Sequence, residues 1–364
     1  MPIVWSRVVV LMTQASLALL LGSRAVHAEI AHTTLFSGWE EYQPGGETSC
    51  ARGDPFSFFV YPGDPERVVF DFMGGGSCAD GAGCDLGSTR FLDRVEPARF
   101  AVLFGIPGVN DLRNLDNPYV GWTRVFIPYC TGDLHWGHID KTYQSPRGYK
   151  YQIHHRGAVN VQAVMDWSKK NLSAAKRVFV SGCSAGGYAS VFYTPLVQES
   201  FPGAELDQFA DSSVAVPAPG KPGLNIYGWN IEAAAPSWIP ELDPKQVDFS
   251  RLNMNDFYIR AARHYPNIHF SQATNHADTV QMDFYPSPNK EEWRPGMFAM
   301  LDSIASAVPN FNSYVSVGTV HCNTWNNDFY HVSSNSVMLR DWLSGAASRR
   351  RFSDVSCKAQ GCDR

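Results

Sequence analysis

The chain has 364 residues, with 30 Lys and Arg against 35 Asp and Glu, which gives a formal net charge of −5. This mild acidity argues against nucleic acid as a partner. Hydrophobic residues make up 44% of the chain and charged residues 18%, a composition typical of a globular protein and not of a disordered one.

Residues 1–28 have the pattern of a secretory signal peptide. Arg7 precedes an apolar stretch from Val8 to Leu21, and Val26-His27-Ala28 is typical of a cleavage site. The apolar stretch is too short and too interrupted to span a bilayer, which needs about 20 apolar residues. We therefore expect a secreted protein, extracellular or periplasmic, with no stable membrane insertion, in which residues 29–364 form a single domain.

All eight cysteines lie after the predicted cleavage site. An even number of cysteines in an exported chain indicates disulfide bonds, and buried free thiols are the less common alternative. The full pairing does not follow from the sequence. The short spacings favour one bond between Cys78 and Cys84 and another between Cys357 and Cys362.

The pattern of apolar residues predicts strands that alternate with helices. The predicted strands are 68–73, 124–128, 178–180, 205–210, 268–271 and 314–318, and the predicted helices are 155–170, 185–198, 291–307 and 337–343. This alternation indicates an α/β fold, in which a mostly parallel sheet carries helices on both faces. Residues 212–265 are rich in Pro, Gly, Asn and aromatic residues, and we expect them to form an irregular insertion near the functional site.

The run from Val178 to Gly187 is the most informative part of the chain. An apolar β-branched segment leads into Gly182-Cys183-Ser184-Ala185-Gly186, the pattern of a nucleophile elbow in which a strand, a sharp turn and a helix expose the serine hydroxyl. A Gly/Ser-rich surface turn is the alternative, because an isolated Gly-x-Ser-x-Gly occurs often by chance. The strand before the motif and the small residues after it favour the elbow.

A serine nucleophile needs a base and an acid, which follow it along the chain in this fold class. Asp278 follows the predicted strand 268–271, and His321 follows the strand 314–318. Both would lie at the carboxyl ends of parallel strands, where catalytic groups collect. The alternatives in this half of the chain are His276 and His331 as bases and Asp283 and Asp302 as acids.

Contact between Ser184 and His321 would also bring their neighbours Cys183 and Cys322 together. A disulfide bond requires Cα atoms within about 7 Å. We keep a Cys183–Cys322 bond as a hypothesis, because neighbouring side chains on each segment need not point the same way.

Gly74-Gly75-Gly76-Ser77-Cys78 follows the first buried strand. Acyl transfer needs backbone N–H groups that stabilise the developing oxyanion, each contributing about 10²–10³ in rate. We predict these donors at Gly75, Gly76, Ser77 and Ala185, the last being the residue after the nucleophile. A simple tight turn is the alternative. A phosphate-binding loop is not indicated, because no Gly-Lys-Ser/Thr sequence follows.

His135-Trp136-Gly137-His138 has two histidines three residues apart, but a metal site needs a third ligand. We therefore predict no metal and no cofactor. We expect this loop to line the substrate cleft, with Trp136 offering an apolar or sugar-stacking face to the substrate.

Taken together, these motifs resemble the pectin acetylesterase family, which includes plant pectin acetylesterases and Notum carboxylesterases. The similar segments are Gly74–Cys78, Tyr129–Asp133, Gly182–Gly187, Asp278–Gln281 and His321-Cys322. The resemblance implies an α/β-hydrolase fold with Ser184 as nucleophile, Asp278 as acid, His321 as base and the glycine-rich loop as oxyanion donor.

The chain departs from the family pattern at two positions. Ser77 stands where the family usually has Trp after the glycines, and Thr131 stands where the family has Asp in its Tyr-Cys-Asp-Gly motif. The loss of the aromatic residue removes one wall of the acyl pocket.

We predict a secreted serine carboxylesterase that hydrolyses acetyl or other short acyl esters through an acyl-enzyme. The expected substrate is an acetylated polysaccharide, because the insertion has scattered aromatics and no apolar stripe that would line a deep tunnel. One alternative is a lipid or polyester esterase with the same triad. Another is a carbohydrate-binding or adhesion protein on the same fold, although binding alone does not need a serine at an elbow.

Overall fold

The computed structural model describes residues 30–35, 38–96, 108–217, 228–285, 287–348 and 353–362. The predicted signal peptide lies outside these residues. Within the described ranges, no helix combines the length and apolar character that crossing a bilayer would require.

Ten strands of the described part form one sheet, and four more form two short hairpins. The sheet consists of β1 (Ala31–Thr34), β2 (Glu40–Gln43), β3 (Phe58–Tyr61), β4 (Asp64–Phe72), β5 (Trp122–Ile127), β8 (Arg177–Cys183), β9 (Glu205–Asp211), β10 (His269–Asn275), β11 (Phe311–Ser316) and β14 (Val355–Ser356). The hairpins are β6 (Ile139–Gln144) with β7 (Lys150–His155), and β12 (Ser333–Ser334) with β13 (Val337–Met338).

The spatial order of the sheet is β1-β2-β3-β5-β4-β8-β9-β10-β11-β14. Every pair from β5 to β14 is parallel, whereas β1, β2 and β3 add to the β5 edge as antiparallel strands. Parallel strands direct their carboxyl ends to the same edge of the sheet. The loops after β4, β8, β9, β10 and β11 therefore meet there.

The described α-helices are α1 (Gly157–Asn171), α2 (Ala185–Ser200), α3 (Met254–His264), α4 (Thr279–Phe284), α5 (Trp293–Ala307) and α6 (Leu339–Ser348). Successive strand residues point to opposite faces of the sheet, so Phe70 and Val180 pack into one core with α1, α2, α3 and α5. Phe179 and Phe209 pack into a second core, on the other face, with α6. Burial on both faces explains the apolar runs Val68–Phe70 in β4 and Val178–Val180 in β8.

The predicted α/β fold class is confirmed, and each predicted strand overlaps an observed strand. The antiparallel strands β1 to β3 and the β6–β7 hairpin are not among the predicted strands, because β1 to β3 have only four residues each and β6 and β7 are mostly polar. The last predicted helix, 337–343, begins as strand β13 and becomes helical from Leu339.

The range predicted as an irregular insertion, 212–265, contains three short 3₁₀ helices and the regular helix α3 in its described part. Asn253 and Asp256 form a capping box at the start of α3. The buried residues of α3 include Phe257 and Ala261, which recur at the spacing of one helix face. Residues 218–227 of this range lie outside the described part.

All eight cysteines form disulfide bonds, with Cα–Cα distances of 5.0 to 5.7 Å. The predicted Cys78–Cys84 and Cys357–Cys362 pairs are confirmed, and so is the hypothesis of a Cys183–Cys322 bond. The fourth bond joins Cys50 to Cys130, 80 residues apart in the chain, and thereby ties the segment after β2 to the loop after β5.

Candidate active site

Ser184 lies at the sharp turn between β8 and α2, with φ 56° and ψ −125°. This is a left-handed conformation that a non-glycine residue adopts only when its surroundings enforce it. A Cβ atom on Gly182 would collide with the carbonyl of Gly186, and one on Gly186 would collide with the carbonyl of Phe72. The two glycines therefore allow strand and helix to approach closely, and the turn has the geometry of a nucleophile elbow.

Asp278 and His321 are hydrogen bonded to each other. Nδ1 of His321 lies 2.9 and 2.8 Å from the two carboxylate oxygens of Asp278, so its N–H donates to the acid. The Asp278 side chain is fully buried, and that of His321 is 18% exposed. Because Nδ1 carries the proton, Nε2 of His321 is free to act as a base.

The Asp278 carboxylate is held by further donors. It caps the N-terminus of α4 by accepting the N–H groups of Val280 and Gln281, each at 3.0 Å. The side-chain amide of Gln281 donates to the second oxygen at 2.9 Å and also reaches Thr274 Oγ1 at 2.9 Å. Gln281 thus fixes the acid against β10, a role that the Asp-x-x-Gln pattern alone did not reveal.

The disulfide bond between Cys183 and Cys322 places His321 next to the elbow. A ring nitrogen of His321 lies within 4.8 Å of both sulfur atoms. The sulfurs are bonded to each other and therefore do not serve as metal ligands. Nε2 of His321 is buried and makes no hydrogen bond within the described structure, which leaves it available to receive a proton.

The glycine-rich loop passes directly beside Ser184. A Cβ atom added to Gly74 would lie 2.9 Å from Cβ of Ser184. No backbone carbonyl of the described residues accepts the N–H of Gly75 or Gly76. The N–H of Ala185 is at the first turn of α2, where helical N–H groups have no intrahelical acceptor.

The prediction of an oxyanion donor at Ser77 needs correction. The Ser77 N–H donates to the carbonyl of Arg90 at 3.1 Å, in a short antiparallel bridge between Gly76 and Phe91. This N–H is therefore already used by the protein. Gly75, Gly76 and Ala185 are the three remaining predicted donors.

A buried polar cluster, Asp133 and His135, is hydrogen bonded to the residue before the glycine-rich loop. Nε2 of His135 donates to the carbonyl of Met73 at 2.9 Å, one residue before the first glycine. Burial lowers the pKa of His135 to about 4, so the ring is neutral at pH 7. The carboxylate of Asp133 accepts the N–H groups of His135 at 3.1 Å and Gly157 at 2.9 Å. Burial raises the pKa of Asp133 to about 6.

The prediction that Trp136 faces the substrate is wrong. Its side chain is 2% exposed and stacks on Phe192 of α2, with ring centroids 5.2 Å apart. The large apolar ring is more stable in this core than on the surface of a cleft. In the neighbouring His135, Nε2 is hydrogen bonded to the Met73 carbonyl. Within the described residues, neither His135 nor His138 belongs to a group of side chains that could bind a metal ion.

None of the alternative acids and bases forms the kind of buried acid–histidine pair that Asp278 and His321 form. Asp283 and Asp302 are about two-thirds exposed and form ion pairs with Arg90 and Lys358. Nδ1 of His276 accepts the N–H of Gly318 at 3.1 Å, and His331 is exposed. The pair that the structure brings together is the predicted one.

Comparison with known proteins identifies relatives of two kinds. The family model described as Pectinacetylesterase matches residues 44–222. Pectin acetylesterase 4 of Arabidopsis thaliana is 29% identical over 136 residues, which cover 35% of this chain and 31% of that protein. Palmitoleoyl-protein carboxylesterase notum1' of Xenopus laevis is 26% identical over 173 residues, which cover 45% of this chain and 34% of that protein.

A third relative, pectin acetylesterase 11 of Arabidopsis thaliana, is 24% identical over 209 residues, or 54% of this chain and 46% of that protein. The chain thus spans less than half the length of these three relatives. Among solved structures, the Wnt deacylase Notum from Drosophila superposes with a TM-score of 0.56 at 16% identity, covering 90% of this chain and 96% of that one.

The structural match shows a shared fold, and the family-model match spans residues 44–222, a range that contains the glycine-rich loop and the serine motif. The resemblance that the motifs indicate is confirmed: the chain is similar in sequence to pectin acetylesterases and to Notum carboxylesterases.

Proposed function

We propose that this protein is a secreted serine carboxylesterase with Ser184, His321 and Asp278 as its catalytic triad. The observation that carries the proposal is the His321 imidazole, which is held by a buried carboxylate and fixed by a disulfide bond beside the elbow serine. A protein that only binds its ligand has no need of this arrangement. The membership of an esterase family and the four disulfide bonds support the activity and the secretion, respectively.

In the proposed mechanism, Oγ of Ser184 attacks the ester carbonyl while Nε2 of His321 takes the hydroxyl proton. Asp278 keeps the proton on Nδ1 and stabilises the imidazolium. The carbonyl oxygen becomes an oxyanion that accepts hydrogen bonds from the N–H groups of Ala185 and of Gly75 or Gly76. Collapse of the intermediate breaks the ester C–O bond, and His321 returns the proton to the leaving alcohol. Water then releases the acid from Ser184 by the same steps.

We infer an acetyl or other short acyl group on a polysaccharide as the substrate. This inference depends on the pectin acetylesterase relatives, and no longer on Trp136, whose ring is in the core. Ser77, small and polar, replaces the aromatic wall typical of the family.

A long-chain acyl ester is the second candidate. Val280, Val317 and Val320 are 36%, 52% and 37% exposed and lie on the two segments that carry Asp278 and His321. These segments pair directly, because the Ala277 N–H donates to the Gly318 carbonyl at 3.1 Å. Exposed apolar side chains at this place would favour a lipid substrate.

A fluorophosphonate probe tests the chemistry. We expect stoichiometric labelling of Ser184 in the wild-type protein and none in Ser184→Ala, whose kcat on p-nitrophenyl acetate should fall about 10⁶-fold. Ser190→Ala, which removes a buried hydroxyl further along α2, is the matched control and should be labelled normally. Hydrolysis by Ser184→Ala at a near wild-type rate would contradict the proposal.

The acyl preference is measured with p-nitrophenyl acetate, butyrate, octanoate and palmitate. We expect kcat/KM to be highest for acetate or butyrate. An increase of about tenfold from acetate to octanoate, equivalent to about 1.4 kcal/mol in the transition state, would favour the lipid candidate instead.

A further inference from the structure

Four residues at the carboxyl end of β9, from its last residue Asp211 to Val214, contact the segments that carry all three triad residues; we call residues 211–214 the clamp segment. Its first contact is with the nucleophile. The Ser184 N–H donates to the Asp211 carbonyl at 2.8 Å. The Ser213 hydroxyl shares its single proton between the carbonyls of Ser184, at 3.0 Å, and Asp211, at 2.8 Å. Both backbone polar groups of Ser184 are therefore held by this segment.

The second contact is with the loop that carries the base. The Cys322 N–H donates to Oγ of Ser212 at 2.9 Å, and the Ser212 hydroxyl donates to Asp211 at 3.0 Å. The other oxygen of Asp211 accepts the N–H and the hydroxyl of Thr324, at 2.8 and 2.6 Å. Cys322, the residue after His321, is thus held by the Asp211 carboxylate through Ser212, and Thr324 is held by the same carboxylate directly.

The third contact is with the acid. The Val214 N–H donates to the side-chain oxygen of Gln281 at 2.7 Å. The amide nitrogen of the same side chain holds the Asp278 carboxylate. Gln281 therefore links the clamp segment to Asp278: its side-chain oxygen accepts from Val214, and its side-chain nitrogen donates to the Asp278 carboxylate.

Three of the eight non-glycine residues with positive φ in the described part of the chain lie at the same place. Ser184, Ser212 and Cys322 have φ values of 56°, 55° and 63°, although none of them is glycine. A residue with a side chain adopts such a conformation only at a cost in free energy, and it persists only where the surrounding contacts enforce it. The hydrogen bonds of the clamp segment, together with the Cys183–Cys322 bond, provide this enforcement.

We propose that Asp211 and Ser212 are positioning residues that set the placement of His321 relative to Ser184. The inference rests on the proposed function of this triad. Asp211 and Ser212 are buried and do not reach the substrate, so they act through Cys322 and Thr324. Loss of their hydrogen bonds displaces the imidazole while the glycine-rich loop stays in place.

The proposal predicts a separation of kcat from KM. A misplacement of about 1 Å in a catalytic group can cost about 10²-fold in rate. We expect Ser212→Ala to lower kcat about tenfold and Asp211→Ala about 10²-fold, with KM changed by less than about twofold. Asp211→Asn keeps an oxygen for Thr324 and should recover most of the loss.

Ser334→Ala is the matched control, because Ser334 is buried and its hydroxyl donates at 2.8 Å to the Val315 carbonyl, which belongs to strand β11 and not to the loop after it that carries His321. All variants are compared well below their melting temperatures, with the folded fraction checked by circular dichroism. We expect Ser334→Ala to lose stability without loss of kcat per folded molecule. If Ser212→Ala behaves like Ser334→Ala, the role is structural and the inference is wrong.

The rate of fluorophosphonate labelling separates the two proposals. Slow labelling of Ser212→Ala beside fast labelling of the wild-type protein supports the positioning role. Equal rates in both proteins overturn the inference and leave the proposed function intact. A wild-type protein that is not labelled at Ser184 overturns the proposed function and, with it, this inference.

Discussion

Two groups of residues lie beside Ser184, and different interactions hold them in place; we call them the acid–base wall and the glycine wall. The acid–base wall, Asp278 and His321 with the residues that hold them, depends on a buried carboxylate that accepts hydrogen bonds from three residues and on a disulfide bond. The glycine wall, residues 74–76 with the side chains that pack against them, depends on close packing and on His135, which burial keeps neutral. We therefore expect kcat to depend on the charge of side chains in the acid–base wall and on the volume of side chains in the glycine wall.

The largest effect is expected from removing the charge of the acid–base wall without changing its shape. Asp278→Asn should lower kcat about 10⁴-fold, because an amide at this position favours the wrong tautomer of His321. Asp283→Asn, at an exposed acid five residues away, should leave kcat unchanged. Steady-state rates on p-nitrophenyl acetate measure both. The assignment of the acid fails if the two variants lose activity in the opposite order.

A single methyl group tests the glycine wall. A Cβ atom on Gly75 would collide with the ring of Tyr129 and lie 3.1 Å from Leu92. Gly75→Ala should therefore displace the oxyanion donors and lower kcat by about 10²–10³. In Gly203→Ala the new Cβ meets nothing within 4 Å, so this control should keep full activity. A fully active Gly75→Ala protein would show that the loop does not bind the oxyanion.

The smallest effect concerns the pH dependence of stability. The pKa of His135 is about 4 in the folded protein against 6.5 in the unfolded chain, so the unfolded state binds more protons between these values. The stability contributed by neutral His135 is complete above pH 6.5 and is lost as the pH falls to 4. His135→Gln keeps a donor for Met73 but does not titrate.

The free energy of unfolding of wild-type protein relative to His135→Gln should therefore fall by about 3 kcal/mol between pH 6.5 and pH 4. Urea denaturation at several pH values measures this difference. The comparison with a variant is needed because Asp133, whose pKa is raised to about 6, titrates over the same range with the opposite sign. A difference that does not change with pH would show that His135 is not held neutral by burial.

The residues that lie next to each other in sequence could be predicted best. The elbow glycines, Ser184 and the local disulfide bonds follow from short motifs, because their chemistry is fixed by neighbours in the chain. The proximity of Asp278 and His321 could also be predicted, since each follows a recognisable strand and parallel strands end at one edge of the sheet.

What the sequence did not reveal depends on contacts between distant residues. The Ser77 N–H is used by Arg90, and the hydrogen bonds of Asp211 and Ser212 reach residues more than 100 positions away. The sequence predicts Trp136 in the lining of the substrate cleft, because an aromatic residue in a polar loop gives no sign of the helix against which it packs. Such contacts have no periodic pattern that a single sequence could show.

The close approach of helix α2 to the clamp segment couples two positions in the chain. A methyl group on Gly187 would occupy the place of the Ser213 hydroxyl, which holds the Ser184 carbonyl. Alanine at position 187 therefore requires that this hydroxyl is lost or leaves its place. Because the methyl group would also lie 2.8 Å from Cβ of Ser213, residue 213 must shift as well. Among homologous chains, the two positions should covary, with serine at 213 found beside glycine at 187 and absent where 187 carries a side chain.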